Sequence, residues 1–572
     1  MRQLVALLIA LALFGACRPA LCADRWRSTP EVPPDSTLYR DLDKLVAFGL
    51  VEPPVRGQRQ YERWEFARMA AEAEKKLAAD DEKAKDSGSF DEFVKRKKRM
   101  REIDRVLTRF RDEFREELTD MGALEGERMR YRVHPLEKVI FNGTYLNSPP
   151  TQIPPNNGRG AIDAWVNPLA DYNLGRHPID GGLFAVEAVG RFDAGRFLSG
   201  YVSPRFEADM PSTNDDVQGH AYLQNGYATF RAGNFAIKAG RDSMIWGPGE
   251  RGSLLFSTNP RPLDGVWITN PEPARLPWIF KYLGRWRYTL YGANFGPGYD
   301  LKYAWMAGYK LNLAPAKYVE IGFGHAVQMG GEGAPGLSAW EIIGEFTGFR
   351  PAGTSTTAPN KSNHMFEIDL LVRIPQLRGL EMYANVAIED YWKSISKTLT
   401  QGCSYLAGVY LPALNPSGTL DLRIEFTTIN PLQYRHGMYV DGWTLNQKLI
   451  GSDTGPDGQS VHALLRKTIS PKMWAGLTFG WDYRQSNTYT ELRNPNNTAG
   501  PIVKTAIGPT EQRWRGLVDL DWKLKPSATL HLTGGYERVG NLHYQQNVHK
   551  NNGIGAATLT LDLDRFFGFS AN

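Results

Sequence analysis

The sequence predicts a mainly β protein: a large transmembrane antiparallel β-barrel of about 18 strands, preceded by a small N-terminal α-helical domain. Three observations carry this reading. Apolar and polar residues alternate with a period of two across 137–567, the pattern of strands with one apolar and one polar face. A helical period of 3.6 is confined to residues before about 134. No apolar run after residue 24 approaches the ~20 residues that a membrane-spanning helix needs.

The chain opens with Arg2 and an apolar run from Leu4 to Ala16, followed by small residues at Ala20 and Ala23. A positive start, a short apolar core and small residues read as an export signal over 1–23. The alternative is lipoprotein processing at Cys17. Of three cysteines, Cys17 and Cys22 lie in this segment, so the mature chain keeps only Cys403 and no intramolecular disulfide is expected.

Residues 24–134 are read as a helical domain. Leu38, Leu42, Leu45 and Val46 share one face of a helix that Gly49 can end. A second helix fits Trp64 to Ala79, with a loop from Ala79 to Phe90. A third runs from about Phe93 to Met121 and aligns Ile103, Leu107, Phe110, Phe114 and Leu118. The run Lys95-Arg96-Lys97-Lys98-Arg99 reads as the solvated face of that helix rather than a nucleic-acid site, because the chain is read as exported.

Residues 135–572 are read as the barrel. The expected strands are 137–147, 183–193, 196–208, 220–231, 235–241, 276–283, 286–295, 302–313 and 318–328. The remainder are 365–374, 380–391, 404–411, 419–429, 461–468, 473–484, 513–524, 528–538 and 556–567. In Phe366-Ile368-Leu370-Val372, for example, Glu367, Asp369 and Arg373 fill the other face. A soluble sandwich closes its core with far fewer strands. An outer-membrane barrel instead turns its apolar face to lipid and its polar face to a wet lumen. Short connections such as Ala232-Gly233-Asn234 and Lys525-Pro526-Ser527 alternate with long ones at 148–182, 242–275, 329–364, 430–460 and 485–512. Short periplasmic turns, long outer loops and two periplasmic termini are the expected arrangement.

No motif argues for catalysis, and no cofactor or metal is expected. Gly247 to Gly252 spells G-x-G-x-x-G, but two prolines at 260 and 262 follow where a nucleotide-binding helix should start. Asp453-x-Gly455-x-Asp457-Gly458 lacks the acids of an EF-hand loop. The histidines have no metal-binding spacing.

Two segments carry a resemblance. Gly240-Arg241-Asp242-Ser243-Met244-Ile245-Trp246-Gly247-Pro248-Gly249, continuing from Gly252 through Asn259-Pro260-Arg261-Pro262, resembles the signature of the Wzi capsule-assembly family. Val32 to Leu50 resembles that family's N-terminal helical segment, and Ile450-Gly451-Ser452 with Gly455-Pro456-Asp457 is a weaker third echo. The resemblance implies an eighteen-stranded barrel with a periplasmic helical bundle, acting as a surface lectin that holds capsular polysaccharide. The same N-terminal segment loosely resembles one S-layer homology repeat, which implies peptidoglycan as a further partner.

Expected partners are thus exported capsular or other polysaccharide, outer-membrane lipid, peptidoglycan and the barrel-insertion machinery, with no nucleic acid. The alternative function is a porin-like channel for sugars or small solutes. Asp242, Trp246, Gly247, Pro248, Gly249, Arg251, Asn259 and Arg261 mark a loop that either plugs the lumen or contacts glycan. Sugar-stacking aromatics are sought at Trp392, Tyr434, Tyr439, Trp443 and Tyr489, with Tyr299, Tyr391 and Tyr544 beside them. The net charge of +5 suits acidic sugars.

Overall fold

The computed structural model describes residues 26–84, 90–176, 179–213, 216–348, 361–389, 402–493 and 499–567. The export signal expected at 1–23 lies outside them. Four helices come first: α1 (Leu38–Ala47), α2 (Arg63–Ala84), α3 (Phe90–Glu113) and α4 (Arg115–Asp120). The stripe expected on the third helix is buried as one core, with Ile103, Leu107, Phe110, Phe114 and Leu118 packed against Leu42, Leu45, Phe66 and Ala70. Phe66 stacks on Phe114 with centroids 5.3 Å apart. Helix α2 runs on to Ala84, past the loop expected from Ala79, and the third predicted helix is two, broken at Phe114.

Eighteen long antiparallel strands then close on themselves. They are β1 (Tyr131–Asn147), β2 (Gly181–Ala194), β3 (Leu198–Pro211), β4 (Gln218–Ala232), β5 (Phe235–Asp242) and β6 (Leu263–Thr269). Next come β7 (Arg285–Asn294), β8 (Trp305–Ala316), β9 (Val319–Met329), β10 (Ser362–Ile374), β11 (Leu380–Glu389) and β12 (Cys403–Leu411). The last six are β13 (Leu420–Thr428), β14 (Gly458–Ser470), β15 (Met473–Arg484), β16 (Glu511–Lys525), β17 (Ala528–Gly540) and β18 (His549–Asp562). Each pairs with its neighbours in sequence, and β1 meets β18 from Lys138↔Asp562 to Asn147↔Gly553. Closure leaves no edge strand with unpaired backbone groups, the condition for crossing lipid with strands. Pro135, which has no N–H to donate, falls at the one register shift between β1 and β2, between His134 and Lys138.

One expected strand is misplaced. Residues 276–283 are not a strand: Trp278–Leu283 is a 3-10 turn with Trp278, Ile279 and Tyr282 exposed. The sixth strand is Leu263–Thr269, paired to β5 and β7. Pro277 removes a ladder donor from the predicted segment, whereas 263–269 carries none.

Burial is inverted relative to a soluble protein. On β10 the outward Phe366, Ile368 and Leu370 are exposed, while Glu367, Asp369 and Arg373 are buried in the lumen. The inward charges neutralise one another across strands. Lys310 Nζ lies 2.5 Å from Asp369 Oδ2 and also bonds Glu367. Arg513 pairs with Glu511 at 2.8 Å and Glu537 at 3.1 Å. Buried charges cost several kcal/mol each unless paired, so the lumen wall is built as ion-pair ladders.

The candidate functional site: a filled lumen under a loop surface

The short connections gather at one end of the barrel, the turn end, and the long ones at the other, the loop end. The helical domain caps the turn end and is riveted there by charge. Arg40 Nε donates to Asp421 Oδ2 at 2.8 Å, and Lys44 Nζ lies 2.5 Å from Glu102 and 3.3 Å from Thr468 Oγ1 on β14. Arg231 at the foot of β4 donates to Glu62 at 2.5 Å. Burial pushes the Glu62 carboxyl up to about 7, against the pull of Arg231.

Between α1 and α2 the chain leaves the domain and enters the barrel. Arg56 Nη1 reaches Glu381 at 2.6 Å, while the Arg56 and Gly57 amides donate to Glu320 at 2.8 and 2.7 Å. Gln58 donates to the Arg287 carbonyl at 2.9 Å and to Asn312 Oδ1 at 3.0 Å. Polar side chains suit this strap because every surface it meets is the polar face of a strand.

From the loop end, residues 243–262 fold inward to meet it. The Gly247 amide donates to the Gly57 carbonyl at 2.9 Å, and Arg59 donates to the carbonyls of Pro248 and Gly249 at 3.2 and 2.9 Å. Gly247 has φ +94°, which an L side chain rarely adopts. Glu425 on β13 accepts both the Glu250 and Arg251 amides, at 2.6 and 2.9 Å. Trp246 is buried edge-on against Phe256 and Tyr291, with centroids at 4.7 and 5.3 Å. Asp242 accepts from Lys238 at 2.5 Å and from Asn225 at 2.9 Å. Arg251 donates to the Pro168 carbonyl at 2.6 Å and lies 5.2 Å over the Tyr172 ring. Asn259 Nδ2 donates to the Leu449 carbonyl at 2.9 Å, and half-buried Arg261 sits 3.8 Å from Asp264. Seven of the eight motif residues therefore lie along one loop, with Asp242 ending β5 beside it, and most of their contacts are structural.

The proposed stacking aromatics fare differently. Tyr434, Tyr439 and Trp443 are fully buried, so their ring faces are closed to a ligand. Their polar atoms clamp the inward loops instead: Tyr434 Oη donates to Leu254 O at 2.6 Å, Trp443 Nε1 to Leu255 O at 3.0 Å, and Tyr439 Oη to Gly330 O at 3.2 Å. Tyr299 is buried too, donating to Gly442 O at 2.5 Å. Tyr489 is buried with its hydroxyl 2.8 Å from Asp457. Sequence alone could not tell an aromatic facing solvent from one folded under a loop. Trp392 and Tyr391 lie outside the described residues.

What the loop end does expose was not singled out from sequence. The Trp165 amide donates to Gln447 O at 2.9 Å, Gln447 Nε2 to Asp163 Oδ2 at 2.8 Å, and the Asp300 amide to Asp441 Oδ2 at 2.7 Å. Asn446 and Gln447 form the positive-φ tip of a tight hairpin, Thr444–Leu445 paired with Lys448–Leu449. Trp165, Asp163 and Asp441 are half-buried, while Asn446, Gln447 and Asp300 are exposed. Burial, with the carboxylates of Asp300 and Asp163 nearby, pushes Asp441 above the usual carboxylate range. A half-buried tryptophan beside exposed amides and carboxylates brings together the residue types that a hydroxyl-rich ligand uses.

A chamber of about 690 Å³ lies in the lumen between Pro30–Leu38 and the wall of β1, β2, β3, β17 and β18. Among the described residues no cluster of three His, Cys, Asp or Glu side chains is placed to hold a metal ion.

A family model described as capsule assembly protein Wzi matches residues 165–553. The chain belongs to this family. Its fold agrees with the solved structure of Wzi from Escherichia coli, described as a carbohydrate-binding β-barrel of the outer membrane involved in group 1 capsule assembly. The two share 15% identity and a TM-score of 0.61, over 93% of this chain and 99% of that one. An uncharacterised 55.8 kDa protein of the Klebsiella pneumoniae cps region is 27% identical over 157 residues. That match spans 26% of this chain and 31% of the relative. A looser likeness is to OprD of Pseudomonas aeruginosa, at 8% identity and a TM-score of 0.37, covering 75% of this chain and 96% of that one. The Wzi-family chain described here is thus a capsule-assembly β-barrel of the outer membrane.

Proposed function

We propose that this Wzi-family barrel is a surface lectin: its loop end faces outward and binds exported capsular polysaccharide, and its helical domain stands in the periplasm. The observation that carries this reading is the meeting of the N-terminal strap and the motif loop in mid-lumen, at Gly57 O and Gly247 N. A barrel filled by structured chain from both ends has its loop surface, rather than a through-path, to offer a polymer. The platform of Trp165, Asp163, Gln447, Asn446 and Asp441 supplies an aromatic edge and paired polar groups for that contact.

The test is the fate of the glycan. In cells lacking this chain, total polysaccharide stays constant while the cell-bound share moves to the medium. Restoring the chain with Trp165→Ala returns the barrel but only part of the retention, because an aromatic contact contributes about 0.5–1.5 kcal/mol, roughly threefold to tenfold in affinity. Retention unchanged in the deletion strain overturns the lectin reading. The alternative, a channel for small solutes, is favoured by the 690 Å³ chamber, and conductance of the purified barrel decides it.

A further inference from the structure

The loop between β9 and β10 contains a nine-residue helix, α5 (Ala339–Thr347), that lies on the outside of the cylinder. Its start is fixed by a capping box between Ser338 and Glu341, and its end by Gly348 in the left-handed conformation. The placement follows from strand alternation. On β8, β9 and β10 the lumen side is marked by Lys310, Gln328, Glu367 and Asp369, all buried and bonded inward. Tyr309, His325, His364 and Phe366 therefore point outward. The helix touches those four. Tyr309 Oη lies 3.4 Å from the Thr347 carbonyl, and the Tyr309 and Phe346 rings are 6.0 Å apart.

A chain of hydrogen bonds pins it there. His325 Nδ1 donates to the Phe346 carbonyl at 3.2 Å, and His325 Nε2 and His364 Nδ1 share a hydrogen bond at 3.0 Å. His364 Nε2 then donates to Glu345 Oε2 at 2.6 Å, and Ser362 Oγ donates to the same oxygen at 2.6 Å. The two imidazoles stack, and His325 also stacks on Phe366 at 4.5 Å. Glu341, one turn before Glu345, is held by Lys361 at 2.8 Å. Glu345 is thus buried against the barrel, while Glu341 stays partly exposed beside Lys361. The opposite face presents Trp340, 76% exposed, Ile342, 43%, and Ile343, 46%.

We propose that α5 is an interfacial helix whose Trp340–Ile343 face rests in the acyl chains of the bilayer leaflet at the loop end. The apolar face continues the lipid-facing wall formed by Trp305, Phe323, Phe366 and Ile368, all exposed on adjoining strands. Exposed tryptophans at the loop-end rim, Trp305 at the start of β8 and Trp340 on the helix, are the pattern of a membrane–water interface. Charge agrees: both acids of α5 are paired, Glu345 with His364 and Glu341 with Lys361, and neither lies on the Trp340–Ile343 face. The helix extends the barrel's grip on lipid sideways and ties the β9–β10 loop to the membrane surface. The inference rests on the chain being a membrane barrel and is independent of which ligand its loops bind.

The chain from residue 24 to 572, with Cys403→Ala, is reconstituted in phospholipid bilayers with a single spin-labelled cysteine in place of Trp340, Ile343, Ile368 or Glu332. Access to oxygen, which concentrates in lipid, is compared with access to a water-soluble nickel chelate. Labels at 340 and 343 are expected to match the wall position 368, with high oxygen access and loss of nickel access relative to exposed Glu332. Nickel access at 340 and 343 equal to that at 332 overturns the proposal, as does shielding from both reagents, which indicates a protein partner such as a second copy. Nickel access at 368 overturns the membrane barrel itself, which separates the two failures. His364→Ala adds a positional readout: the label at 343 gains mobility when the pin is cut, while the label at 368 does not.

Discussion

Gly57 shows how closely the strap is fitted to the lumen. A Cβ there would stand 2.1 Å from Asn312 Nδ2 and 3.0 Å from Asp369 Oδ1, in a wall of charges that cannot give way without breaking pairs. Gly57→Ala is expected to cost about 1–3 kcal/mol, the usual range for overpacking. It should lower the temperature at which trypsin first cuts near Arg56 and Arg59, leaving the barrel's own melting unchanged. Asp41 sets a different condition. Burial pushes its carboxyl up, but Arg105 at 2.7 Å and Arg109 at 2.8 Å outweigh that and hold it well below the usual range. Because the folded value is depressed, this stabilisation is present above the unfolded carboxylate value of about 4 and is lost as pH falls below it. Far-ultraviolet dichroism of the helices should therefore hold from pH 7 to about 4 and decline further down. Asp41→Asn removes charged hydrogen bonds worth about 2 kcal/mol and flattens that decline. An unchanged acid profile in the variant would assign the transition to other carboxylates.

At the level of elements, the strap and the motif loop close the lumen in series. Deleting 52–62 alone leaves Trp246, Phe256, Tyr434 and Trp443 packed as one cluster beneath the loop end. Single-channel recordings of that deletion are expected to show no steady conductance, while deleting 246–256 as well opens the barrel. A steady pore in the single deletion would place the whole seal in the strap. The inward loop also explains why the aromatic candidates were misread. Tyr434, Tyr439 and Trp443 sit in an outer loop by chain position, yet that loop folds down over Leu254 and Leu255 and buries their rings. Trp165 was passed over because nothing in its neighbours distinguishes it. Its hydrogen bond to the Gln447 carbonyl, with that of Gln447 to Asp163, brings a distant loop beside it.

For the whole molecule, the alternation of short and long connections fixes which ends face the same way, and the proposed orientation follows from the start of β1 and the end of β18 both lying at the turn end. An epitope inserted in the 541–548 loop should be reached by antibody on intact cells. One inserted at Pro471-Lys472 should be reached only after the outer membrane is permeabilised. The reverse pattern would turn the barrel over and, with it, the lectin surface.

The sequence determined the parts of this protein that depend on local period. Strand after strand had to put apolar residues on one face, because lipid accepts nothing else, so the count of eighteen and the helical stripe from Ile103 to Leu118 were legible. Even the one misplaced strand kept the parity, since Leu263–Thr269 and 276–283 fall in the same interval between β5 and β7. The tertiary structure alone decided what fills the barrel and what drapes it. The strap at Gly57, the inward motif loop, the surface around Trp165 and the His325–His364–Glu345 pin each join residues far apart in the chain. Such contacts leave no periodic trace, because a polar residue facing a lumen reads the same whether water, an ion-pair partner or another segment of the chain meets it.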